Sequence, residues 1–121
     1  MRLTSEQIHL FRHNGFLKLA GQLPEHTIRK LKETIAQDTS NEVEPVVRDQ
    51  NGRVVRLSNV VNRDPIFLDT ASSALVLDPL ESILGPDIEL IKNRHNHATL
   101  RPASGNRVEG LHRDIKQWSR T

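Results

Sequence analysis

Polar and apolar positions alternate along this chain with two periods, and the first to appear is helical. Thr4-Ser5-Glu6-Gln7 has the form of a capping box, in which the Thr4 hydroxyl accepts the Gln7 amide proton and the Gln7 side chain returns to the Thr4 backbone. Leu3 and Ile8 stand at the positions of a hydrophobic staple, Ile8 and Phe11 continue the apolar side, and Asn14-Gly15 is a stop signal. Gly15 to Leu19 then reads as a short strand. Pro24 opens a second helix at a first-turn position, where its missing donor costs nothing. Ile28, Leu31 and Ile35 share one face of that helix, with Arg29, Lys30, Lys32 and Glu33 outside.

The pattern then breaks. Residues 38–52 are polar and rich in breakers, which predicts a loop. Arg53 to Leu57 suits a strand, and Asp64-Pro65 starts a short helix. Asp78-Pro79-Leu80-Glu81 repeats the capping logic for a helix that closes at Gly85-Pro86. Ile88, Leu90 and Ile91 begin a segment read as a strand that reaches Leu100. Pro102 to Gly105 is a turn, and Val108 to Ile115 a final strand. The expectation is one α+β domain over residues 1–121, helical over 1–85 and strand-rich over 86–121, with helices laid against a sheet.

Composition narrows the function classes. Hydrophobic residues make up 36% and charged residues 26% of the chain, the balance of a folded globular sequence. Aromatic content is 3% with no Tyr, so the core must come from Leu, Ile and Val. With no cysteine there is no disulfide, thiolate metal site or thiol nucleophile, which suits a cytoplasmic or other reducing intracellular compartment. No apolar run is long enough to span a membrane, and the N-terminus has no signal-peptide apolar stretch. The net charge of +2 is small for a nucleic-acid binder. Residues 101–121 carry five cations against two acids, but these are spread out with one aromatic among them, so no nucleic-acid partner is expected.

The chemistry concentrates at the end. In a strand, residues two apart face the same side, so His112 and Asp114 would present an imidazole and a carboxylate to one point. Such a pair is two thirds of the facial triad that holds non-haem Fe(II) with open positions. By spacing alone the pair also fits solvated residues on a surface strand. His95-Asn96-His97 is a second same-face pair if that segment is a strand, and two imidazoles suit a metal such as zinc. A cupin-type site would need an acid soon after, and Ala98, Thr99, Leu100 and Arg101 supply none. His9, His13 and His26 read as surface residues on or beside helices. Trp118 is either a core anchor or a wall beside the metal.

Taken in order, these segments resemble the N-terminal half of the phytanoyl-CoA dioxygenase family of Fe(II)- and 2-oxoglutarate-dependent oxygenases. The resemblance rests on Leu3 to Gln7 through Phe11 and Asn14-Gly15-Phe16-Leu17, on the helix from Pro24 to Ile35, on Leu84-Gly85-Pro86-Asp87-Ile88, and on Leu111-His112-Arg113-Asp114-Ile115-Lys116-Gln117-Trp118. Arg101-Pro102-Ala103-Ser104-Gly105 stands where the family often has a basic residue, proline and glycine before the metal strand. The resemblance spans essentially the whole chain.

It implies a double-stranded β-helix, a jelly-roll or cupin-like barrel wrapped by helices, of which this chain would hold an incomplete part. It implies His112 and Asp114 as iron ligands, 2-oxoglutarate as cosubstrate with ascorbate as an accessory, and hydroxylation of a small organic substrate. Asn96 would contact the cosubstrate and Trp118 would wall the pocket. The family's distal His and its 2-oxoglutarate-binding Arg have no counterpart up to Thr121, so the chain alone is expected to be inactive. The alternative is a small non-enzymatic binding module with a basic C-terminal segment. Neither substrate identity nor oligomeric state follows from the sequence.

Overall fold

The computed structural model describes residues 1–100. Helix α1 spans Ser5–Asn14, and its start is the capping box the sequence predicts. Gln7 N donates to Thr4 Oγ1 at 3.2 Å, and Thr4 N donates to Gln7 Oε1 at 2.9 Å. Gly15 closes the helix at φ 77°, a left-handed conformation that a side chain would strain, and its N–H reaches Phe11 O at 2.8 Å. The strand expected over Gly15 to Leu19 does not form; that stretch has no regular structure.

Helix α2, Glu25–Ser40, begins just after Pro24, which occupies the cap position itself. The helix runs two residues past the expected boundary at Asp38. Thr34 and Thr39 donate their hydroxyls to the carbonyls of Lys30 and Ile35, at 2.9 and 2.7 Å, which satisfies both hydroxyls within the helix.

The predicted loop over 38–52 hides a strand. Strand β1, Val46–Arg48, pairs antiparallel with β2, Val54–Ser58, through a bulge between Val47 and Arg48. The intervening turn is built by Asp49, whose carboxylate accepts the N–H groups of Asn51 and Arg53 at 2.9 and 3.0 Å. Only two apolar residues mark β1, too few to show a period against their polar surroundings.

A 3-10 turn over Val60–Asn62 follows, then α3, Pro65–Ala71, started by Asp64 as the sequence predicts. The Asp64 carboxylate accepts Ile66 N–H at 2.9 Å, and Pro65 fills the first turn. Helix α4 spans Ala74–Leu84 and corrects the expected start at Asp78-Pro79. It begins after Ser73, and buried Pro79 lies inside it. The apolar run Ala74 to Leu77 carries helical turns ahead of the proline, and burial of the ring offsets the missing N–H. The Asp78 side chain, freed from capping, instead meets the Met1 amino group. Arg2 reaches Glu81 at 3.2 Å, and Leu3 N donates to Ser82 Oγ at 3.0 Å, so the first residues are strapped along α4.

The long strand expected over Ile88 to Leu100 shrinks to β3, His97–Thr99. Its partner sets that length. Strand β2 offers Arg56, Leu57 and Ser58 to Thr99, Ala98 and His97, and then leaves the sheet through Asn59 at φ 56°. Residues 88–96 therefore have no ladder to join. The described sheet has three antiparallel strands in the order β1-β2-β3. Helix α2 packs on β2 and α3, and α3 on the 3-10 turn and α4. Leu57, on the central strand, is fully buried and is the core's centre among the described residues. The architecture is mixed helix with a small antiparallel sheet, in accord with an α+β class. Among the described residues, no helix is long and apolar enough to cross a membrane.

Candidate functional site

His112, Asp114 and Trp118 lie outside the described residues. What the described part contributes is the approach to them. Strand β3 lies beside β2, and Leu100 N donates to Val55 O at 2.8 Å, so the chain is held against the central strand up to its last described residue.

Asn96 is fixed by its surroundings. Its Oδ1 accepts Val61 N–H at 2.9 Å, and its Nδ2 donates to Lys92 O at 2.9 Å and Asn59 Oδ1 at 3.2 Å. Its backbone carbonyl accepts Val60 N–H at 3.3 Å. Both amide protons are thus spent inside the chain, leaving the side chain only an acceptor lone pair. This geometry makes Asn96 the pin joining the 92–97 segment to the 3-10 turn.

The pair His95 and His97 is adjacent, though not as a strand would make it. Only His97 belongs to β3, while His95 sits at φ 51°. His97 N donates to His95 O at 2.9 Å, closing a three-residue turn over Asn96. The two rings lie with centroids 6.1 Å apart, tilted by 37°, and both residues are exposed. His9, His13 and His26 are exposed on their helices, as expected from the sequence. No group of three or more His, Asp or Glu that could hold a metal occurs among the described residues.

The strongest polar site is one that sequence reasoning misses. Arg63, with its side chain only 4% exposed, threads its guanidinium into a gap between α2 and the hairpin. Nε donates to Ser58 O at 2.8 Å, Nη1 to Asp38 Oδ2 and Val43 O at 2.9 Å each, and Nη2 to Pro45 O at 2.6 Å. One charge thereby joins the end of α2, the chain entering β1 and the end of β2. No local pattern signals it, because its partners lie 5 to 25 residues away.

A second charged cluster lies on the hairpin's outer side. Arg48 meets Glu42 and Glu44, each at 2.9 Å. The Val46 N–H on the Glu44 carboxylate, then the Arg48 guanidinium, hold that carboxyl below the usual range. Glu42, followed by Glu44, raises Arg48 in turn.

Between α2 and the start of β2 runs an open, largely apolar groove of about 570 Å³. Ile35, Ala36, Val54, Val55 and Leu100 line it, with Lys32, Asp49 and Arg53 among its polar side chains. Its size suits a small organic ligand. Compared with models of protein families, with curated proteins and with solved structures, the chain matches none.

Proposed function

We propose that this chain is the N-terminal portion of an Fe(II)- and 2-oxoglutarate-dependent dioxygenase that hydroxylates a small organic substrate. The observation that carries the reading is the order of its motifs, ending in His112-Arg113-Asp114 with Trp118 beyond. The capped α1 with its Gly15 stop and the α2 that follows Pro24 support it. Among the described residues eleven large hydrophobic side chains are exposed, and Leu10, Ile28, Leu68, Leu75, Leu80 and Leu84 of these lie on helices, a surface that suits helices wrapping a larger barrel.

The donor set fits the metal in kind and falls short in number. A neutral imidazole and a carboxylate suit ferrous iron, and His112 and Asp114 supply one each. A third protein ligand and a cation for the cosubstrate's far carboxylate would come from sequence beyond these motifs. Iron with 2-oxoglutarate and oxygen supplies oxidative hydroxylation when bound. The chain's own part in this reading is to hold the two donors, to wall the pocket with Trp118, and to fix through Asn96 the segment that leads into β3.

The test is anaerobic Fe(II) titration of the chain beside His112→Ala and Asp114→Ala. Saturable binding that each substitution weakens supports the reading. Equal binding by all three removes its chemical basis. That result would favour a second reading, a non-enzymatic binding module, for which the groove beside α2 and the basic residues of 101–121 are the specific support.

A further inference from the structure

We propose that His95 and His97 form a second metal site, one for imidazole-preferring divalent cations such as Ni²⁺, Zn²⁺ and Cu²⁺, independent of His112 and Asp114. Three observations carry it. The first is ring separation. A metal bound at about 2.0–2.1 Å from an imidazole nitrogen sits roughly 3.2 Å from the ring centroid. Two rings sharing it are then roughly 4.5 to 6.4 Å apart, as the angle at the metal opens from square to linear. The observed 6.1 Å falls near the wide end of that span, so the rings draw together by side-chain rotation to take a cation at a tetrahedral or octahedral angle.

The second is preorganisation. The backbone between the rings is fixed: His97 N–H to His95 O closes the turn, and Asn96 is tied to Val60, Val61, Asn59 and Lys92. A chelating pair on a pinned turn loses less freedom on binding than a pair on a free loop. The third is access. Both histidines are exposed, so a hydrated ion reaches them without opening the fold.

The site's character follows from its ligand count. No third His, Asp or Glu joins the pair among the described residues, so water would fill the remaining positions and ligands would exchange readily. Lys92 and Arg94 lie nearby in sequence, and their charge, screened by water, tempers affinity. Two imidazoles without carboxylates select Ni²⁺, Cu²⁺ and Zn²⁺ over Mg²⁺ and Ca²⁺. His9 and His13, four apart on exposed turns of α1, have the spacing of a competing pair and provide the internal comparison.

The experiment is Ni²⁺ titration of the whole chain, followed by calorimetry and by paramagnetic broadening of ¹⁵N–¹H amide signals. Four variants accompany it: His95→Ala, His97→Ala, His9→Ala with His13→Ala, and His112→Ala with Asp114→Ala. Substituting either exposed histidine of the turn leaves the amide spectrum folded. The proposal expects broadening to start at residues 94–98. It expects affinity to fall about tenfold or more in His95→Ala and in His97→Ala, the cost of losing an intramolecular second ligand. It expects affinity to hold in the other two variants. Broadening at residues 94–98 that survives both single substitutions, broadening that starts in α1, or no saturable binding overturns it. The His112 and Asp114 variants keep this result separate from the fate of the oxygenase reading.

Discussion

Two regions of this molecule are held together by different means. Around β2, a buried leucine and a buried arginine converge: Leu57 fills the space between sheet and helix, and Arg63 ties three backbone carbonyls to Asp38. Around α1 and the segment after α4, apolar side chains face outward instead. Phe16 is 69% exposed and Leu84 66%. The contrast shows where folding free energy is concentrated. The hub specifies its own geometry through satisfied polar groups and one closed contact surface. The outer helices carry apolar surface that the described residues do not cover.

Disrupting the hub should have the largest effect. Arg63→Ala leaves the Asp38 carboxylate and three carbonyls without their shared donor; removing one partner of a fully buried pair costs about 3–5 kcal/mol, an upper bound here because the Asp38 side chain keeps 19% exposure. Urea unfolding should show that loss as a lowered midpoint, and an unchanged midpoint would deny Arg63 its role. Leu57→Ala, which opens a cavity at the one fully buried hydrophobic side chain described, should cost about 2–5 kcal/mol by the same measurement.

The surface cluster tests the comparison through pH. The Glu44 carboxyl is held below its unfolded range, so the folded state binds its proton less readily. Its contribution is therefore full above the ordinary carboxylate range and is lost as pH falls through the lowered folded value. Glu44→Gln should flatten the acid side of the stability curve slightly and leave neutral-pH stability almost unchanged. A large loss at neutral pH would place this exposed cluster within the hub. Phe16→Ser should have the smallest effect, within about 0.5 kcal/mol, because the ring is already mostly in water.

Local chemistry in the sequence reads through to the fold, and distant chemistry does not. Thr4 and Gln7 cap each other within four residues, and Asp64-Pro65 starts α3 as its side chains require. Glycine at 15 and at 85 ends helices where expected. Strand β1 escapes notice because Val46 and Val47 gain strand character only from β2 opposite them. Strand β3 is overestimated for the converse reason, since the apolar start at Ile88, Leu90 and Ile91 cannot show that β2 turns away after Ser58. Asp78-Pro79 imitates a helix start, yet the apolar turns before it are already helical. Arg63 reads as one basic residue among many, because its four acceptors are assembled only by the fold. At the candidate site, the type and spacing of His112 and Asp114 are legible from sequence, and they lie outside the described residues. The nearness of His95 to His97 is legible too, but through a turn and not the strand that spacing suggests.

Native-state amide hydrogen exchange, read residue by residue, tests the contrast between the two regions most directly. The amides of β2 and the Asp38–Arg63 junction should exchange only through global unfolding, while those of 15–22 and 86–95 exchange through local opening orders of magnitude faster. Equal protection across both regions, or slower exchange in 86–95 than at Leu57, would contradict the account.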